Sequence, residues 1–126
     1  MPDSDCDAMR DGLIKVALTF PEAWEDFPWD EPVVKVRKKI FAFFGRHDAD
    51  CFRLGVKLPE TGDVLLEEAW ATPSSHGLGK HGWLDLRFER PEDVPLDLLE
   101  DLIVESYVAV APKTLSKQLL AEEPAG

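Results

Sequence analysis

The chain is poor in cysteine, histidine and tyrosine, with two, three and one of each. Cys6 and Cys51 lie too far apart for a metal knuckle or a Cys-x-x-Cys redox pair, and in a cytoplasmic protein they are expected as free thiols. No run approaches the roughly 20 apolar residues that a membrane-spanning helix needs. The opening Met1-Pro2-Asp3-Ser4-Asp5 lacks the basic and apolar regions of a signal peptide. These absences predict a cytoplasmic protein with no membrane partner. Bases are scarce too, 14 Lys and Arg against 25 Asp and Glu, for a net charge of −11. That excess opposes indiscriminate adhesion to nucleic acid or anionic membrane.

What is present is one domain. The 126 residues suffice to bury a single core. Residues 1–120 read as that domain and 121–126 as a frayed tail. The charge is uneven along it. Residues 33–57 carry seven bases (Lys35, Arg37, Lys38, Lys39, Arg46, Arg53, Lys57) against Asp48 and Asp50, net +5. Residues 91–105 carry six acids (Glu92, Asp93, Asp97, Glu100, Asp101, Glu105) and no base.

Periodicity predicts a helix over 4–19, capped by Ser4 and stopped by Pro21. Residues 20–32 read as a loop. Residues 33–37 and 40–44 form a hairpin, and 53–58 a third strand. A short helix follows over 61–70, with Val64, Leu65 and Ala69 buried. Another strand covers 83–88. A long helix spans 93–111 through Leu99, Leu102, Ile103, Tyr107 and Val110, with Pro95 in its first turn. A last short helix covers 113–120. The order α-β-β-β-α-β-α-α predicts an α+β fold, with an antiparallel sheet of four to five strands packed on helices.

Strand parity separates two faces. Val34, Val36, Phe52, Leu54, Val56, Leu84, Leu86 and Phe88 belong under the helices. Lys35, Arg37, Arg53, Lys57, Trp83, Asp85 and Arg87 face the other way. Residues 40–44 are apolar on both faces, so this strand is either covered on both sides or leaves Phe41 and Phe43 for a partner. The basic face with its aromatic fits an anionic partner, including single-stranded nucleic acid. It equally fits a solvated face whose bases pair with loop acids.

The segment Ser74-Ser75-His76-Gly77-Leu78-Gly79-Lys80-His81-Gly82-Trp83 is the chemically densest stretch. His76 and His81 supply two potential ligands where a tetrahedral metal needs three or four. Ser74 and Ser75 lack the strand–elbow–helix setting of a nucleophile. Gly77-Leu78-Gly79-Lys80 lacks the spacing of a phosphate loop and precedes a strand. No metal, cofactor or catalytic residue is therefore assigned. The segment fits a tight connection whose glycines allow positive φ and whose Trp83 caps the core, or a loop that adds Lys80, His81 and Trp83 to the basic face.

Several segments together resemble one family. They are the opening helix, Phe20-Pro21-Glu22-Ala23, Val34-Lys35-Val36, Lys39-Ile40-Phe41-Ala42, Leu78-Gly79-Lys80-His81-Gly82-Trp83, Glu105-Ser106-Tyr107 and Val110-Ala111-Pro112-Lys113. In combination they resemble the MmcQ/YjbR-like proteins. The resemblance implies a small CyaY-like α+β domain without agreed catalytic residues. It carries a suggestion of DNA binding through wing-like strands. Where family hairpins often turn through glycine, this chain has Arg37-Lys38, which leaves the register open by one residue. The expectation is a binding or interaction module rather than an enzyme. Its candidate site for nucleic acid or a small anionic ligand is Lys35, Arg37, Lys38, Lys39, Arg53, Lys57, His76, Lys80, His81, Trp83 and Arg87. The alternatives are a protein–protein module, homodimeric or with a basic partner, using Phe41 and Phe43 or the acidic helix, and an enzyme with a pocket around His76 and His81.

Overall fold

The computed structural model describes residues 2–28, 31–45, 52–74 and 79–122. The element order is α1 (Pro2–Leu18), β1 (Ala23–Asp26), β2 (Val33–Val36), β3 (Lys39–Gly45), β4 (Phe52–Lys57), α2 (Gly62–Leu65), β5 (Ala71–Pro73), β6 (Trp83–Phe88), α3 (Leu96–Val110) and α4 (Lys113–Glu122). The six strands form one antiparallel sheet in the order β1-β2-β3-β4-β6-β5. The fold is thus α+β as expected, with six strands where four to five were predicted. The missed pair are the two edges. β1 is four residues of the stretch read as a loop, and β5 is three residues of the connection before the glycine-rich segment.

The predicted long helices form, with shifted ends. Ser4 lies inside α1 rather than capping it, and Pro95 is the residue before the first turn of α3. The predicted helix over 61–70 contracts to the single turn of α2, and its expected buried Val64 is 68% exposed. Gly62 is buried there instead, with the Leu84 side chain 3.1 Å from where its Cβ would stand. No described helix is long and apolar enough to cross a membrane.

α3 covers β3 and β4, while α1 lies over β1 and β2 and against α3. The face predicted to lie under helices does so: Val34, Val36, Leu54, Val56, Leu84, Leu86 and Phe88 are buried. Cys6 is also buried, and it is disulfide-bonded, which corrects the expected free thiol. Cys51 lies outside the described residues.

β3 resolves its apolar ambiguity through a bulge. Val34 pairs with Ala42 but Lys35 pairs with Ile40, so Phe41 is the extra residue. A bulge of this kind puts two successive side chains on one face. Phe41 therefore joins Ala42 beneath the helices, fully buried, with Phe20 and Tyr107 at ring-centroid distances of 5.9 and 5.1 Å. It is not available to a partner, which corrects that part of the protein–protein reading. Phe43 emerges on the other face, half-buried, and meets Trp83 edge-to-face at 5.4 Å.

Three consecutive residues of α3 clamp this arrangement. The Glu105 carboxylate accepts hydrogen bonds from the Glu60 and Thr61 amides and the Thr61 hydroxyl, at 3.0, 3.1 and 2.9 Å. The Ser106 hydroxyl accepts from the Lys57 amide at 2.8 Å and donates to the Phe41 carbonyl. The Tyr107 hydroxyl donates to the Pro21 carbonyl at 2.6 Å. Each satisfies backbone groups that the sheet and turns leave open. The Glu105-Ser106-Tyr107 segment is thus architectural.

Candidate functional site

The β3–β4 ladder runs from Gly45↔Arg53 to Ala42↔Val56 and stops there. Continued by one step, it would join the Lys57 amide to the Phe41 carbonyl directly. The bulge prevents that, and the Ser106 hydroxyl stands between the two groups. Beyond this point lies a groove of about 400 Å³, lined by Lys35, Lys38, Lys39, Ile40, Phe43, Lys57, Trp83, Ala109 and Val110. Side chains of the helix-free face supply one wall. Ala109 and Val110, at the end of α3, reach it from the helical side.

The hairpin delivers the lysines. β2 and β3 are joined by Arg37-Lys38, with Val36 paired to Lys39, so the turn has two residues. Arg37 takes a left-handed φ of 57° without being glycine. Such a conformation persists only when the surroundings hold it. Two contacts do so: the Trp24 indole donates to the Arg37 carbonyl at 2.7 Å, and the Arg37 guanidinium pairs with Glu22 at 3.1 Å. Glu22 itself has a φ of 58°. The hydrogen bond that the Arg37 guanidinium donates to the Glu22 carboxylate raises the pKa of Arg37 above its ordinary value.

Cations around the groove fall into two groups. Lys35 is engaged: its ammonium pairs with Asp26 at 2.7 Å and sits 5.1 Å from the Trp24 ring centroid. That hydrogen bond, followed by one from the Phe27 amide, holds the Asp26 carboxyl below the usual carboxylate range. Lys38, Lys39 and Lys57 have no ion pair among the described residues. Three ammonium groups without an ion pair among the described residues thus border one concavity. A second groove, about 490 Å³, shares Lys38, Lys39 and Val110 and adds Val36, Arg37, Ala111, Pro112 and Lys113.

The structure sorts the eleven sequence-derived candidates. Lys35, Lys38, Lys39, Lys57 and Trp83 come together in the first groove. Arg37 borders the second, tied to Glu22. Arg53 and Arg87 are register partners across β4 and β6, toward the other end of those strands. Arg87 lines a separate groove with Trp70, Thr72 and Asp93. Lys80 and His81 sit exposed on a single 3-10 turn, 79–81, and do not line the lysine groove. His76 lies outside the described residues.

That turn shows why the segment is glycine-rich. A Cβ on Gly79 would stand 2.9 Å from both the Pro73 side chain and the Ser74 carbonyl. Gly82 has a φ of 89°, and its carbonyl accepts from the Leu58 amide at 2.8 Å. The segment aims Trp83 at the helix-free face, where it pairs in register with Lys57. Sequence reasoning missed Ala109 and Val110 as groove walls. Val110 looked like one more residue of the buried helical stripe, and only the termination of the ladder exposes it to a cavity.

Comparison with known proteins agrees with this architecture. The YjbR family model matches residues 18–109. A crystal structure of Deinococcus radiodurans protein DR2400, described as carrying a DUF419 domain, is similar with a TM-score of 0.68 and 30% sequence identity, over 86% of each chain. No curated protein matches. The matched span contains β1 to β6 and nearly all of α3, including Glu105-Ser106-Tyr107, the bulged strand and every lysine of the groove. The chain belongs to the YjbR family.

Proposed function

We propose that this protein is a binding module that takes an anionic ligand, a nucleic-acid strand or a smaller anion, in the lysine groove beside Trp83. One observation carries the reading: Lys38, Lys39 and Lys57 converge on a single concavity without acidic partners among the described residues. Unpaired like charges repel one another, and an anion among them relieves that repulsion. Lysine suits the role because its ammonium is a mobile point charge with three donors. The site is narrower than the whole basic face, since Arg37 is already paired and Lys80 and His81 lie outside the groove. The scaffold is read as CyaY-like and the compartment as the cytosol, where oxidation of Cys6 would be local or transient.

The test is fluorescence anisotropy of a labelled short single-stranded DNA at about 50 and 200 mM salt. Binding that weakens with salt, and is largely lost in Lys39→Ala/Lys57→Ala, is the expected result. Binding that the double variant leaves unchanged contradicts the reading.

A further inference from the structure

We infer that the groove accepts one nucleotide unit, with the base against Trp83 and the phosphate among Lys38, Lys39 and Lys57. The inference rests on the anion-binding reading and adds the chemical class of the ligand. Three observations carry it.

The first is size. A groove of about 400 Å³ lies toward the small end of ligand pockets. It accommodates a base with its phosphate and not a duplex. The second is the division of its lining. Lys38, Lys39 and Lys57 supply charge, whereas Ile40, Phe43 and Trp83 supply apolar and aromatic surface. A site for a bare anion has no use for the aromatic wall. A site for a neutral aromatic has no use for three ammonium groups without an ion pair among the described residues. A ligand with both characters uses the whole lining, and base–aromatic stacking is tolerant of base identity. Trp83 is half-buried and braced by Phe43 at 5.4 Å, so little side-chain freedom is lost when a base lands on it. The third is the charge around the site. Net −11 over the chain penalises each phosphate of a polymer that runs beyond the lysines.

The experiment is isothermal titration of the full chain with adenosine 5′-monophosphate, adenosine, ribose 5-phosphate and inorganic phosphate at low salt. A short single-stranded DNA and its duplex are titrated in parallel. The expected result is that the nucleotide binds roughly ten-fold or more tightly than ribose 5-phosphate, the scale of one stacked base. Trp83→Leu removes that advantage. Trp83→Phe retains part of it. The comparison of nucleotide with ribose 5-phosphate uses the native protein, so it decides the matter even if Trp83→Leu does not fold. Tighter binding of the free nucleotide than of ribose 5-phosphate supports the inference, and its affinity relative to the single strand identifies the source of the unit. Equal affinity for the nucleotide and ribose 5-phosphate overturns it while leaving the anion site standing. Binding of none of the phosphates overturns both. A duplex that binds more tightly than the single strand and the nucleotide overturns the single-unit inference alone.

Discussion

Phe41 and Phe43 are two residues apart in one strand, yet they live in different solvents. Phe41 is fully buried among Phe20 and Tyr107, whereas Phe43 is half-exposed beside Trp83. In a regular strand residues two apart share a face. The bulge breaks that rule, and it also ends the ladder where the lysine groove begins. The same contrast holds between the two sides of the sheet. On the helical side Ser106, Tyr107 and Glu105 satisfy backbone groups one by one. On the other side Lys38, Lys39 and Lys57 are left without ion pairs among the described residues. These backbone groups are matched where water is excluded, and the unmatched lysines are kept where a ligand can reach them.

This contrast can be broken most severely at Phe41. Phe41→Ala removes a fully buried ring and is expected to cost about 3–5 kcal/mol, read as a lowered urea midpoint. Phe43→Ala removes a half-exposed ring and shifts the midpoint far less. Equal losses at the two positions would contradict the bulge. Next in size is Ser106→Ala, which leaves the Lys57 amide and the Phe41 carbonyl unmatched. A cost of about 1–3 kcal/mol is expected, with faster hydrogen exchange at the Lys57 amide. Smaller still, Lys39→Ala and Lys57→Ala change stability within about 0.5 kcal/mol, because neither side chain has a hydrogen bond or ion pair to lose among the described residues. A large destabilisation there would show that these lysines serve the fold rather than a ligand.

The smallest effect concerns Asp26. Its carboxyl titrates below the ordinary range because Lys35 holds it ionised. Its contribution is therefore present above the unfolded value of about 3.9 and is lost as pH falls through the lower folded value. Asp26→Asn is expected to lower stability slightly at neutral pH, and the difference from the native chain should vanish in acid. A difference that persists below that range would assign the effect to packing instead of charge.

The helices and central strands were legible because their apolar residues repeat at periods of 3.6 and 2. β1 was not. Its four residues, Ala23-Trp24-Glu25-Asp26, sit among prolines and lack alternation, and pairing with β2 alone makes them a strand. The Phe41 bulge was illegible for the same reason, since an apolar run on both faces carries no parity signal. The two-residue turn at Arg37-Lys38 contradicts its local preference and is held by Trp24, from the strand that was missed, and by Glu22, the residue just before it. Of the site, the lysines and Trp83 were found from composition and parity. Their separation from Lys80, His81, Arg53 and Arg87 required the register. The Glu105-Ser106-Tyr107 segment stood out as a family feature, and its hydrogen bonds give the reason: it holds together the part of the sheet where the groove opens.

The most direct measurement is the salt dependence of binding to a short single-stranded DNA, in the native chain and in Lys39→Ala/Lys57→Ala. Phosphate held by the lysines makes log affinity fall with log salt, by about 0.7 for each phosphate neutralised, and removing two of the lysines should flatten that slope. A slope that the double variant leaves unchanged would place the anion elsewhere and contradict the account.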